Sequence, residues 1–168
     1  MTDPANNITQ YGYDTESNLT SITDANQHAT NFSYDALGRV TKTTFPSTLY
    51  EMFGYDGVGN LTSKTDRNNQ TIQYVYDAMS RLASKTYPDQ TAVDYVYDLA
   101  GKIQQVTDPT GTYSFAYDNM GRLIGTTTTY SFLPGHNFQN AYTYGAASNR
   151  TSLTAPWTPA SRPTATTR

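Results

Sequence analysis

Aspartate is the residue whose placement could do chemistry in this chain. Asp14, Asp35, Asp56, Asp77, Asp98 and Asp118 each directly follow a tyrosine, at successive spacings of 21, 21, 21, 21 and 20 residues. A carboxylate can ligate a hard cation or act in an acid–base pair. Either task needs a second acid or an imidazole at a matching spacing, and none recurs beside these aspartates. The two histidines, His28 and His136, sit in loop-like segments with no nucleophile and orienting acid within sequence reach. Cysteine is absent, which removes thiolate nucleophiles, cysteine-based zinc sites and disulfides. The residue types thus assign no catalytic, cofactor-binding or metal-ligating residue, and the chain reads as a non-enzyme. Asn-x-Ser/Thr occurs at Asn7, Asn18, Asn31, Asn60, Asn69 and Asn149, which would be glycan acceptors in a eukaryotic secretory route. Abundant Asn and Thr produce such triplets without selection, and Asn18, Asn60 and Asn149 also fill a repeat position.

What positions the aspartates is a repeat. The tyrosines before them are Tyr13, Tyr34, Tyr55, Tyr76, Tyr97 and Tyr117, and two residues earlier stand Tyr11, Phe32, Phe53, Tyr74, Tyr95 and Phe115. A period of two puts both rings on one face of an extended strand. Three residues after each Asp comes Ser17, Gly38, Gly59, Ser80, Gly101 or Gly121. Asp can bond the backbone two residues on, and Gly supplies the left-handed conformation of an adjoining bulge, so the segment predicts a type I turn joining two antiparallel strands. Ser17 and Ser80 should be strained or locally different there, at a cost of about 1 kcal/mol.

A basic or amide residue and an aliphatic one follow, as in Asn18-Leu19, Arg39-Val40, Asn60-Leu61, Arg81-Leu82, Lys102-Ile103 and Arg122-Leu123. They open a Thr- and Ser-rich strand that runs to a second turn, marked by segments such as Thr65-Asp66-Arg67-Asn68-Asn69 and Tyr87-Pro88-Asp89-Gln90. Each copy is one hairpin unit with two strands and two turns. A seventh, degenerate copy at Tyr142-Thr143-Tyr144-Gly145 comes after a 27-residue interval, displaced by residues 126–140. The expected fold is all-β, a tandem array of antiparallel β-hairpin repeats forming a curved or spiralling sheet with no closed globular core. Fourteen strands would span roughly 65 Å, with aromatic rings aligned as ladders across successive hairpins.

Composition agrees with a half-buried sheet. Of 168 residues 36% are hydrophobic, with 15 Tyr and 6 Phe, and mean hydropathy is −0.64. Charged residues make up 15% and the net charge is −3, without a basic stripe, so nucleic acid is not an expected partner. No stretch approaches the roughly 20 apolar residues of a membrane helix, and the opening residues carry no signal peptide. The expected organisation is a lead-in over residues 1–10, seven repeats over 11–153 and a Pro/Thr-rich tail over 154–168, read as disordered.

The pattern Tyr-Asp-x-x-Gly-[Arg/Asn/Lys]-[Leu/Val/Ile], with an aromatic at minus two, resembles the YD repeat of RHS (rearrangement hotspot) proteins. The resemblance covers Tyr11 to Leu153, including a closing Ser148-Asn149-Arg150-Thr151-Ser152-Leu153 similar to family endings; Ser17 and Ser80 depart from Gly, and Gly145 from Asp. It implies a β-strand spiral that closes, in complete members, into a hollow shell around a toxic C-terminal polypeptide in bacterial polymorphic toxins and insecticidal toxin complexes. Secreted or cell-surface bacterial localisation and a toxin cargo follow as implications. Family shells often carry a self-cleaving aspartyl site with an Asp-Pro-x-Gly motif at the end of the array. Asp108-Pro109-Thr110-Gly111 has those letters but falls at an inter-repeat turn, where Asp-Pro and Gly are ordinary turn chemistry. Two other readings stand beside the scaffold. One is a fibre or tube subunit assembling through open sheet edges onto repeats of another chain; the other is a module binding surface glycans through its tyrosines.

Overall fold

The computed structural model describes residues 8–155. Every regular element there is a β-strand. They are β1 (Gln10–Tyr13), β2 (Leu19–Thr23), β3 (Ala29–Tyr34), β4 (Val40–Thr44), β5 (Tyr50–Tyr55), β6 (Leu61–Thr65) and β7 (Thr71–Tyr76). After them come β8 (Leu82–Thr86), β9 (Ala92–Tyr97), β10 (Ile103–Asp108), β11 (Gly111–Tyr117), β12 (Leu123–Tyr130), β13 (Asn137–Tyr144) and β14 (Arg150–Thr154). The chain divides into two compact units, Met1–Gln90 with β1 to β8 and Thr91–Arg168 with β9 to β14. Within each unit the strands pair antiparallel in sequence order, the arrangement that tight turns between period-two strands dictate. All but Thr154 and Ala155 of the Pro/Thr-rich tail lies outside the described residues.

Both kinds of turn share one backbone geometry. After each Tyr the Asp N–H donates to the carbonyl four residues on, and the residue at Asp+3 donates back to the Asp carbonyl, as in Asp35 to Arg39 at 3.0 Å and Gly38 to Asp35 at 3.0 Å. The pairing slips by one residue beside the turn, between Ser33 and Tyr34 and between Gly54 and Tyr55, which is a bulge. The bulge residue takes a positive φ of 73° at Gly38, 102° at Gly59, 82° at Gly101 and 78° at Gly121. Ser17 and Ser80 adopt it too, at 69° and 58°, as their positions in the repeat predict. The opposite turns repeat the geometry without glycine: Gln27, Thr48, Asn69 and Gln90 sit at 64°, 67°, 60° and 67°.

Two departures explain the irregular spacing. Asp108 pairs directly with Gly111, so only Pro109 and Thr110 form that loop, and the lost bulge residue accounts for the single 20-residue interval. A Cβ on Gly111 would collide with the Thr129 carbonyl of β12, which requires glycine there. The long interval lengthens β12 and β13 to 8 residues each and adds a tip at residues 131–136.

No side chain is buried among the described residues, and Gly111 is the single buried position. One face carries the paired aromatics with their cross-strand neighbours, and the other is Ser-, Thr- and amide-rich, as in Gly54 opposite Ser63 and Ser63 opposite Gln73. The rings do not stack strand upon strand. Phe32 faces Thr43, Phe53 faces Lys64 and Tyr74 faces Lys85, because β3, β5 and β7 are flanked by Thr-, Ser- and Lys-bearing strands, whereas Tyr95 faces Val106. The expected aromatic ladder is therefore replaced by contacts of rings with cations. Ring–ring contacts join Tyr113, Tyr130, Phe132 and Phe138, at the long β12–β13 hairpin and the adjoining β11.

Candidate functional site

The recurring constellation is a clamp built on each Tyr-Asp turn. In the second copy the N–H groups of Leu37 and Arg39 donate to Asp35 Oδ1 at 2.9 and 3.0 Å, and Arg39 Nε donates to Asp35 Oδ2 at 2.7 Å. Asp77 with Met79 and Arg81, and Asp118 with Met120 and Arg122, repeat these bonds with Nε–Oδ2 distances of 2.7 Å. Where the post-turn residue is asparagine the amide replaces the guanidinium. Asn18 Nδ2 donates to Asp14 Oδ2 at 3.0 Å, and Asn60 Nδ2 donates to Asp56 Oδ2 at 2.9 Å. Lys102 N–H reaches Asp98 Oδ1 at 2.8 Å, with Gly101 closing that turn.

The donors hold these carboxyls below the usual carboxylate range. For Asp35, Asp77 and Asp118 the leading cause is the backbone N–H of the following Arg; for Asp14 and Asp56 it is the Asn side chain. Carboxylates saturated with N–H donors and lowered in pKa are poor bases and poor cation ligands. Among the described residues no three His, Cys, Asp or Glu gather to hold a metal ion. His28 Nδ1 pairs with Asp24 Oδ2 at 3.2 Å within its own turn, and His136 Nδ1 lies 3.3 Å from the Pro134 carbonyl. Asp108 Oδ1 accepts from Thr110 N–H, Thr110 Oγ1 and Gly111 N–H at 2.8, 2.6 and 3.0 Å, so its carboxylate closes a turn.

Within each unit a second set of bonds fastens hairpins to their neighbours. The tyrosine hydroxyl donates to the carbonyl of the aliphatic residue in the preceding copy: Tyr34 to Leu19 at 2.7 Å, Tyr55 to Val40 at 3.0 Å, Tyr117 to Ile103 at 3.0 Å and Tyr144 to Leu123 at 2.7 Å. In the other direction Arg39 Nη1 donates to the Asp56 carbonyl at 3.0 Å, and its guanidinium lies 4.6 Å from the Tyr55 ring. Arg122 repeats this on the last copy, 4.8 Å from the Tyr144 ring with Nη1 3.3 Å from Ser148 Oγ. Tyr76 holds the same strand position, and burial first, then Tyr74 and Asp56, push its phenol up. Tyr97 ends β9 as the other tyrosines end their strands, while Tyr13, on the first strand described, is 62% exposed.

Sequence reasoning placed the aspartates and glycines in turns but assigned no role to Arg39, Arg81 and Arg122 beyond their charge. The signal was there: a long cation one residue past the bulge, where its side chain can turn back onto Asp. The left-handed Gln27, Thr48 and Gln90 carried no signal, since those residue types do not favour that conformation.

The fold has counterparts of known structure. The Tc holotoxin pore of Photorhabdus luminescens carrying the TccC3-D651A mutation superposes with a TM-score of 0.67 at 18% identity, over 88% of this chain and 9% of that chain. The TcdB2-TccC3-Cdc42 structure, and TcdB2-TccC3 without the hypervariable C-terminal region, give the same TM-score of 0.67, identity of 18% and coverages of 88% and 9%. This chain thus spans about 9% of the length of the solved chains it resembles, and the likeness is one of fold. No curated protein matches the sequence significantly. The profile described as Teneurin YD-shell matches residues 2–159, and the chain belongs to that family.

Proposed function

We propose that this chain is a wall segment of a YD-repeat shell, with no chemistry of its own, and that the polypeptide enclosed by such a wall is a toxin-type cargo. The observation that carries the reading is the fastening of hairpin to hairpin through Tyr55–Val40 and Arg39–Asp56 in a sheet that buries no side chain among the described residues. Such a sheet is a surface that extends by adding copies, and a shell wall is the use that fits it. Membership of the YD-shell family and the fold shared with the TcdB2-TccC3 structures support the same reading. Secretion or display at a bacterial surface goes with it.

A second reading, end-to-end assembly into a fibre, is favoured by β14, whose residues are all exposed and which pairs only with β13 among the described residues. Glycan binding through the exposed tyrosines is the third reading. Negative-stain images and a glycan array separate the three. A wall segment gives no long uniform filaments and no glycan signal that Tyr11→Ala or Tyr50→Ala removes. Filaments would replace it with the fibre, and ring-dependent glycan binding with the lectin-like module.

A further inference from the structure

The cation that follows a Tyr-Asp turn is missing from the first copy, and the surface opens there. Arg39, Lys102 and Arg122 lie over the tyrosine ring of the following copy, Tyr55, Tyr117 and Tyr144, at 4.6, 5.1 and 4.8 Å from the ring centre. Arg39 Nη1 also donates to the Asp56 carbonyl at 3.0 Å, beside the bond which that carbonyl accepts from Gly59 N–H. In the first copy the equivalent residue is Asn18, whose amide is committed to Asp14 Oδ2 at 3.0 Å. Among the described residues no cation lies over Tyr34, and the Asp35 carbonyl accepts only from Gly38 N–H.

A cavity of about 600 Å³, within the range of small-ligand sites, stands at this place. Asp14, Glu16, Asn18, Tyr34, Asp35 and Gly38 are among its lining residues. The glycines identify it with the position that an arginine takes one copy later. A Cβ on Gly59 would lie 3.8 Å from Arg39 Nη1, and a Cβ on Gly38 would lie 3.5 Å from Asn18 Oδ1. Asn60 is a second asparagine at this repeat position, but it closes its own gap: its Nδ2 donates to Ser80 Oγ of the next turn at 3.2 Å. Gly38 stands where Ser80 does and has no hydroxyl to offer.

The charge of the cavity has a sign. Arg39 Nε balances Asp35 at 2.7 Å, but Asp14 is paired with an amide, and Glu16 makes no ion pair among the described residues. Glu16 is also the one acid at its turn position, where the later Tyr-Asp turns carry Leu37, Val58, Met79, Ala100 and Met120. Two carboxylates without a cation, a ring face and a carbonyl with a spare lone pair together suit a planar cation that donates from several N–H groups. A guanidinium meets all of them at once, whereas an ammonium is a point charge without the fork. Anionic ligands are repelled.

We propose that this cavity binds the guanidinium of an arginine on a partner polypeptide, stacked on Tyr34, bonded to the Asp35 carbonyl and balanced by Asp14 and Glu16. The contact is the one Arg39 makes with Tyr55 and Asp56, supplied by another chain. Such a site would serve a shell wall and a fibre alike, so its fate is separate from either reading.

Titration of the full, isotope-labelled chain with N-acetylarginine amide, followed through backbone amide shifts, tests it. Shifts are expected at Asp35, Ala36 and Gly38, and none with the neutral isostere N-acetylcitrulline amide. Glu16→Gln is expected to weaken binding about two- to fivefold, the worth of one exposed charge pair. Asn18→Arg supplies the side chain from within, and is expected to abolish binding and raise Tm by about 2–4 °C. No response to the arginine amide, an equal response to the citrulline amide, or binding that Asn18→Arg leaves intact overturns the proposal. The source of the guanidinium is read with two further ligands. A capped Ala-Arg-Ala peptide is expected to bind at least as well as N-acetylarginine amide. Binding of methylguanidinium with exclusion of the peptide would overturn the partner polypeptide and assign the cavity to a small guanidinium compound.

Discussion

Arg39 holds two turns at once. Its Nε donates to Asp35 Oδ2 at 2.7 Å within its own hairpin, and its Nη1 donates to the carbonyl of Asp56, in the next one, at 3.0 Å. Arg39→Ala should therefore loosen both turns, and hydrogen exchange should quicken at Gly38 and Gly59 alike. A fall of about 2–4 °C in Tm is expected, the shift that corresponds to a loss near 1 kcal/mol in a chain of this size. Arg39→Lys keeps the charge but not the fork, and should recover only part of the loss. Protection changes confined to Gly38 would show that the reach to Asp56 is idle.

Tyr55→Phe removes a single hydroxyl and leaves the ring under Arg39. The Val40 carbonyl then loses its donor, and a destabilisation of about 1 kcal/mol is expected in urea unfolding. An unchanged midpoint would mean that water replaces the hydroxyl without cost.

Backbone strain gives predictions of opposite sign. Gly59 has a φ of 102°, so Gly59→Val should destabilise by about 1–2 kcal/mol. Thr48 is β-branched at a φ of 67°, so Thr48→Gly should stabilise by about 1 kcal/mol even though glycine loosens the unfolded chain. Gly111→Ala forces a Cβ against the Thr129 carbonyl and should cost about 1–3 kcal/mol. Thermal melts of the three variants check all the signs at once.

The turn aspartates set the response to acid. Asp14, Asp35, Asp56, Asp77 and Asp118 are lowered in the folded state, chiefly by N–H donors of the following Asn or Arg. A folded value below the unfolded one means that the ionised carboxylates stabilise the fold above the ordinary range near about pH 4. That contribution is lost as the pH falls through the lowered folded values. Melting temperature should be flat near neutrality and fall below about pH 4, and Asp35→Asn should flatten part of that fall. A variant with an acid limb as steep as the wild type's would remove Asp35 from the account.

Much of this was legible beforehand. The interval from Tyr34 to Tyr55, the ring at Phe53 and the glycine at Gly59 determine where a strand ends and how the chain reverses, because each acts through local backbone preference. Ser17 and Ser80 were readable as strained or locally different for the same reason, and they take the left-handed conformation. Thr48 was not, because its conformation is imposed by strand pairing on both sides against its own preference. Nor were the partners of the rings: periodicity places Phe53 on a face, but the residue across from it is Lys64, and that depends on strand order and register. The clamp lies between these cases, since Asp35 and Arg39 are near in sequence, whereas the reach of Arg39 to Asp56 requires the next hairpin to be in place.

The two-residue loop at Pro109 and Thr110 has a consequence for how such sheets diversify. One residue is missing there, yet Phe115 and Tyr117 return to the positions held by Phe53 and Tyr55 in their own strands. The added tip at residues 131–136 is absorbed in the same way, since Tyr142 and Tyr144 resume the pattern. Small deletions and insertions at that margin are thus silent to the weave, so lineages can trim or lengthen the fringe freely, while a one-residue change at a Tyr-Asp turn would break the clamp that holds it.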